Sequence, residues 1–213
     1  MAIFERLLAY YGPLGWWPAE TPFEVCVGAI LTQNTAWTNV EKAIENLKQA
    51  GVLNGEALRE IDDGQLAQII RPAGCYNLKS RRLKVFIDWL FEHHAGSLDQ
   101  MFAGDWRVLR NELLQVRGIG PETCDSILLY AGGAPTFVVD SYTCRLFCRL
   151  GILSNRSGYD ETRLLFMSRL PADPPLFNEY HALIVQQCKQ FCRSRPLCDG
   201  CPLASVCRHK QVD

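Results

Sequence analysis

Apolar residues recur along this chain at helical spacing, and no stretch sustains the two-residue alternation of a half-buried strand. That single pattern predicts an all-α fold of about ten helices. Ile3, Leu7 and Leu8 mark a first helix over residues 2–11, stopped by Gly12-Pro13. Thr21, Pro22 and Glu24 form a start signal for an apolar helix that runs to Leu31. Further helices are predicted over 38–50, ending at Gly51, and over 77–94, with short segments at 55–60 and 63–70 and a turn at Pro72-Ala73-Gly74. Residues 105–116 and 121–131 form a pair around Arg117-Gly118-Ile119-Gly120, and helices over 140–150, 159–169 and 175–191 complete the pattern before a cysteine-rich tail.

With 213 residues, 48% of them hydrophobic and 21% charged, the chain is long enough to bury a substantial core, which excludes wholesale disorder. No apolar run approaches the roughly 18 residues of a membrane span. The first residues, Met-Ala-Ile-Phe-Glu-Arg, lack the basic leader and apolar stretch of a secretory signal. A soluble cytoplasmic protein with no membrane partner is expected.

The net charge of −1 conceals an uneven distribution. Residues 1–70 carry nine acids against four bases. Residues 71–85 carry Arg71, Lys79, Arg81, Arg82 and Lys84 with no acid, and residues 186–210 carry Lys189, Arg193, Arg195, Arg208 and Lys210 against Asp199 alone. Local charge governs phosphate binding, so two basic runs on a neutral chain fit a nucleic-acid partner, and they fit solvated helix faces as well.

Three motifs carry chemistry. In Leu114-Gln115-Val116-Arg117-Gly118-Ile119-Gly120-Pro121, two glycines flank one apolar residue between two helices, and the proline opens the second helix. A helix-hairpin-helix that grips a DNA phosphate through its backbone N–H groups has this pattern; a simple αα-corner shares it. In Val138-Val139-Asp140-Ser141, Asp140 follows an apolar run and heads a helix, suiting an N-cap or an oriented catalytic carboxylate. In the tail, Cys192, Cys198, Cys201 and Cys207 place four thiols within 16 residues. They satisfy a [4Fe–4S] cluster or a tetrahedral zinc ion, and the single C-x2-C knuckle favours the cluster. Cys26, Cys75, Cys124, Cys144 and Cys148 read as small packing residues, and so does Cys188, one helical turn before Cys192.

In this order and spacing, over nearly the whole chain, the three features resemble the endonuclease III superfamily of DNA glycosylases. A Gly/Pro-rich loop at Gly132-Gly133-Ala134-Pro135 and Arg145, five residues after Asp140, add to the likeness, as does His181-Ala182-Leu183-Ile184 before the cysteines. The resemblance implies two helical domains around a DNA cleft: a barrel over 22–134 carrying the hairpin, and a cluster domain of 1–21 with 135–213. It implies that the segment Ile30-Leu31-Thr32-Gln33-Asn34-Thr35 enters the gap left by a flipped nucleotide, with Gln33 and Thr35 as its marks and Asn34 among its DNA contacts, and that Gly74, Cys75, Tyr76 and Lys79 form a second DNA-facing turn. Arg117, Gly118, Gly120, Arg145, Arg193 and Arg195 would add DNA contacts, Asp140 would be catalytic, and a [4Fe–4S] cluster would be structural.

Two departures refine the activity. Bifunctional members of that superfamily place a Schiff-base lysine where this chain has Glu122, so release of the base without strand cleavage is expected. Trp16, Trp17 and Trp37, with Arg71-Pro72-Ala73-Gly74-Cys75-Tyr76-Asn77, resemble the 3-methyladenine DNA glycosylase III branch, whose pocket stacks on an alkylated purine; core packing would also account for the tryptophans. The best-known members of that branch lack the iron–sulfur cysteines kept here. The expected protein is a monomeric, nucleoid-associated glycosylase of damaged double-stranded DNA, specific for an N3-alkylated purine. An endonuclease III-like enzyme for oxidised pyrimidines and a non-catalytic DNA-binding protein are the alternatives.

Overall fold

The computed structural model describes residues 1–15 and 19–211. In chain order the α-helices are α1 (Ala2–Tyr11), α2 (Pro22–Leu31), α3 (Trp37–Gln49), α4 (Gly55–Glu60), α5 (Asp63–Ile69) and α6 (Tyr76–His94). Then follow α7 (Leu98–Phe102), α8 (Trp106–Leu113), α9 (Pro121–Ser126), α10 (Ser141–Arg149), α11 (Tyr159–Arg169) and α12 (Pro174–Gln190). No strand occurs among the described residues, so the fold is all-α. None of their helices is long and apolar enough to cross a membrane.

Contacts divide the chain into two compact units, Ala19–Ala134 and Met1–Pro18 with Pro135–Asp213. In the first, α2 is buried from Glu24 to Leu31, as a helix that is apolar on every side must be. Its start is fixed by Thr21, whose Oγ1 accepts from Glu24 N at 3.1 Å, with Pro22 behind it. Around α2 pack one-sided helices: α3 buries Val40, Ala43, Ile44 and Leu47, and α6 buries Leu83, Phe86, Ile87 and Leu90. In the second unit an aromatic cluster forms the core. Phe137 stacks on Phe166 with centroids 4.0 Å apart, Phe147 meets Phe166 edge-on at 4.7 Å, and Phe4 ties α1 to Tyr180 of α12 at 5.2 Å.

Two elements differ from the sequence expectation. α7 is an unexpected helix of one turn and a half, capped by Ser97 Oγ, which accepts from Gln100 N at 3.3 Å. The helix expected over 121–131 changes character at Ile127: Ile127–Ala131 form a wider π turn, closed by Gly132 N donating to Ile127 O at 3.2 Å. Ile127, Leu128 and Leu129 are all buried, with α2 packed against them, and this run of apolar side chains is accommodated at the end of the helix.

Candidate active site

Asp140 lies at the end of the buried run Phe137-Val138-Val139 and is the N-cap of α10. Its Oδ1 accepts from Thr143 N at 2.7 Å and from Thr143 Oγ1 at 2.9 Å, and its Oδ2 faces His181 Nε2 of α12 at 3.5 Å. Burial alone pushes the carboxyl pKa upward. His181 and the two donors of Thr143 outweigh burial, and Asp140 lies below its usual range. The result is a mostly buried, oriented carboxylate that stays ionised. Sequence reasoning singled out Asp140 but not its supports; Thr143 was readable as the third residue of a cap, whereas His181 lies too far along the chain to be paired by spacing.

The helix-hairpin-helix is built in the other unit from α8 and α9. Arg110 of α8 forks onto Asp125 of α9, Nε to Oδ1 at 2.9 Å and Nη2 to Oδ2 at 3.0 Å, with Asp125 fully buried. Between the two helices Gly118 adopts φ +99°, and a Cβ there would lie 2.5 Å from Arg82 Cγ, so only glycine fits. Arg117 and Gly120 are exposed. Arg81, Arg82, Lys84 and Arg117 line one hollow beside Gly118, which brings the basic run of α6 to the hairpin. Glu122 is exposed in the first turn of α9.

Several expected DNA contacts are placed differently. Lys79 is buried, and its Nζ donates to Leu31 O and Ala73 O, both at 2.7 Å, and to Thr35 Oγ1 at 2.5 Å. It is a brace inside the protein because carbonyls from two turns converge on it. Lys84, counted in the same basic run, donates to Arg59 O at 2.9 Å and to Ile61 O at the end of α4. Gln33 does not project freely: its Nε2 donates to Gly118 O and Thr123 Oγ1, both at 2.9 Å, and its Oε1 accepts from Arg82. Arg145 donates from Nε to Cys192 O at 2.8 Å and lies over the Tyr142 ring, held against the tail of its own unit. Asn34, Gly74 and Cys75 are exposed, and Tyr76 is half-buried at the start of α6. Trp37 is half-buried against the core of its unit, while Trp16 and Trp17 lie outside the described residues.

Cys192, Cys198, Cys201 and Cys207 line one cavity together with Arg149, Gln187 and apolar residues such as Leu146 and Leu203. Arg149 Nη1 donates to Cys192 Sγ at 3.3 Å and to Arg193 O at 2.6 Å, Nη2 donates to Ser194 O at 3.0 Å, and Gln187 Nε2 donates to Cys201 Sγ at 3.1 Å. The neighbouring Cys188 thiol lowers the Cys192 pKa against the opposing effect of burial, and the Arg149 and Arg145 guanidinium groups act in the same direction as Cys188. Cys188 itself does not line the cavity. Among the described residues no three Cys, His, Asp or Glu side chains are grouped as ligands of one metal ion. Four thiols that line one cavity, with N–H groups aimed at two sulfurs, are a donor set that suits an iron–sulfur cluster or a zinc ion. Arg193 and Arg195 are exposed beside this cavity. Neither Arg149 nor Gln187 carried a sequence signal.

Comparison with known proteins accords with these features. Residues 27–172 match the HhH-GPD superfamily of base excision DNA repair proteins. A Methanocaldococcus jannaschii protein with the provisional name of a DNA repair glycosylase is 50% identical over 210 residues, 98% of this chain and 95% of that protein. The crystal structure of H. pylori 3-methyladenine DNA glycosylase bound to 1,N6-ethenoadenine superposes with a TM-score of 0.78 at 31% identity, covering 89% of this chain and 96% of the other. Endonuclease III in a non-covalent DNA complex shares the fold, with a TM-score of 0.85 at 21% identity over 99% of this chain and 94% of the other. The chain therefore belongs to the HhH-GPD superfamily of base excision DNA repair proteins and is a DNA repair glycosylase of that family.

Proposed function

We propose that this protein is a monofunctional glycosylase that releases an N3-alkylated purine, such as 3-methyladenine, from double-stranded DNA and leaves an intact strand with an abasic site. The carrying observation is Asp140, a carboxylate kept ionised at the head of α10. A base within the duplex is out of reach, so the nucleotide is first flipped out. An N3-alkylated adenine is cationic and its glycosidic bond is already weakened. Asp140 opposes the positive charge that grows on the sugar as that bond breaks, and it orients or deprotonates the attacking water. Glu122, in place of an amine nucleophile, supports hydrolysis without an imine intermediate. So does the engagement of Lys79 and Lys84 by backbone carbonyls.

The alkylpurine assignment is supported by the 31% identity to the H. pylori 3-methyladenine enzyme. Cation–π stacking on Trp16, Trp17 or Trp37 would add on the order of 2 kcal/mol for a desolvated cationic base. The four-cysteine cavity fits a [4Fe–4S] cluster, which would tie residues 192–207 together and hold Arg193, Arg195 and Arg208 toward phosphates. On duplexes carrying alkylated adenine, wild type should release free base, and Asp140→Asn should release it more slowly by a factor on the order of 10²–10⁴ with DNA affinity almost unchanged. Borohydride should trap no protein–DNA adduct. Release of oxidised pyrimidines instead, efficient trapping, or full activity in Asp140→Asn would each reject the corresponding part of this reading.

A further inference from the structure

We infer that Lys79 is a positioning residue that locks the Thr32–Thr35 turn and the Ala73–Cys75 turn into one two-part wedge against DNA. The inference rests on the proposed function and on the DNA-facing role that the family resemblance implies for those turns. Its basis is the set of atoms around one ammonium. Leu31 is the last residue of α2 and Ala73 the last of a 3-10 turn over Arg71–Ala73, so two of the three acceptors are carbonyls at the ends of helical segments, where no further intrahelical donor reaches them. The third is Thr35 Oγ1, which also donates to Ala73 O at 2.7 Å. Three protons thus meet three acceptors drawn from two turns some forty positions apart in the chain.

No carboxylate is among these partners, although the side chain is buried. Burial lowers the Lys79 pKa, as it must for a charge held by neutral oxygens. A methionine of similar length would fill the same space without that desolvation cost, so the ammonium is poorly explained as a packing device. What it supplies, and a methionine cannot, is a fixed distance between two turns. The turns themselves are strained. Among the described residues only Asn34, Cys75 and Ala95 are non-glycine residues with positive φ, and two of these are the exposed tips of the two turns, Asn34 at +54° and Cys75 at +43°. Left-handed non-glycine residues concentrate where function requires a particular surface shape, and they persist only if the surroundings hold them there. Arg82, one helical turn after Lys79 on α6, continues the arrangement by bonding Gln33 and packing on Gly118. One face of α6 therefore holds both turns and the hairpin.

The test uses the full-length protein and a duplex with a tetrahydrofuran abasic analogue opposite 2-aminopurine, whose fluorescence rises when it is unstacked. Wild type should bind this duplex and raise the fluorescence. Lys79→Met should keep its melting temperature within a few degrees and bind with affinity within about threefold, because the phosphate contacts of the hairpin persist, yet lose most of the fluorescence rise. Thr35→Val, which keeps the ammonium but removes one acceptor and the bond to Ala73, should lose an intermediate share; it carries the test if Lys79→Met fails to fold. A full fluorescence rise in a folded Lys79→Met or, failing that, in Thr35→Val would overturn the inference and leave the proposed function standing. No rise with wild type would mean that the turns do not meet the duplex, and both would fall.

Discussion

Asp140 is at once a helix cap and a charged group, and the two roles reinforce each other. Thr143 N–H and Oγ1–H point at one carboxylate oxygen and His181 approaches the other, so the ionised form is favoured in the fold. The folded-state pKa lies below the ordinary value of about 3.9, and these contacts therefore contribute stability above that value and lose it as the pH falls through the folded-state pKa. The stability difference between wild type and Asp140→Asn should shrink as the pH falls from about 5 through the folded-state pKa. Urea midpoints across that range measure it, and a difference that persists unchanged to pH 2.5 would show that the ionised form is not what the cap favours. Cys192 and Lys79 also depart from the ordinary state of their residue types, Cys192 chiefly through its Cys188 neighbour and Lys79 chiefly through burial.

Among the elements, the hairpin depends most on a single contact. α9 is only six residues long and gains little from its own hydrogen bonds, so its position against α8 comes from packing and from the buried Arg110–Asp125 fork. Replacing Arg110 by Met leaves the Asp125 carboxylate buried with its fork partner removed and should cost about 3–5 kcal/mol. The double variant Arg110→Met/Asp125→Leu should recover most of that loss, because an apolar pair of similar volume carries no desolvation penalty. Chemical denaturation of the two variants decides the matter; equal losses would show that packing, not charge pairing, holds α8 to α9.

At the scale of the whole molecule, the chain divides into two units whose cores rest on different side chains: aliphatic residues around α2 in one, a ring cluster around Phe137 and Phe166 in the other. The second unit also holds the cysteine cavity. If that cavity takes a [4Fe–4S] cluster, purified protein should contain iron and little zinc and absorb broadly near roughly 400 nm. Cys198→Ser should then lower both iron content and the thermal midpoint, because ligand binding is coupled to folding. Stoichiometric zinc without iron would reject the cluster. What the sequence by itself determined was everything governed by neighbours a few positions apart: helical spacing, the caps at Thr21 and Asp140, the glycine hairpin and the grouping of four cysteines. The short helix α7 and the π turn at Ile127 escaped it, since short elements owe their form to what packs on them. Only the tertiary structure decided that Lys79 is a buried brace, that Gln33 and Arg145 are bound within their own units, and that His181 stands beside Asp140. A basic residue in a charge run reads as solvated. It becomes buried only when carbonyls from distant turns fold onto it, and burial and partnership are set by packing that no local spacing encodes.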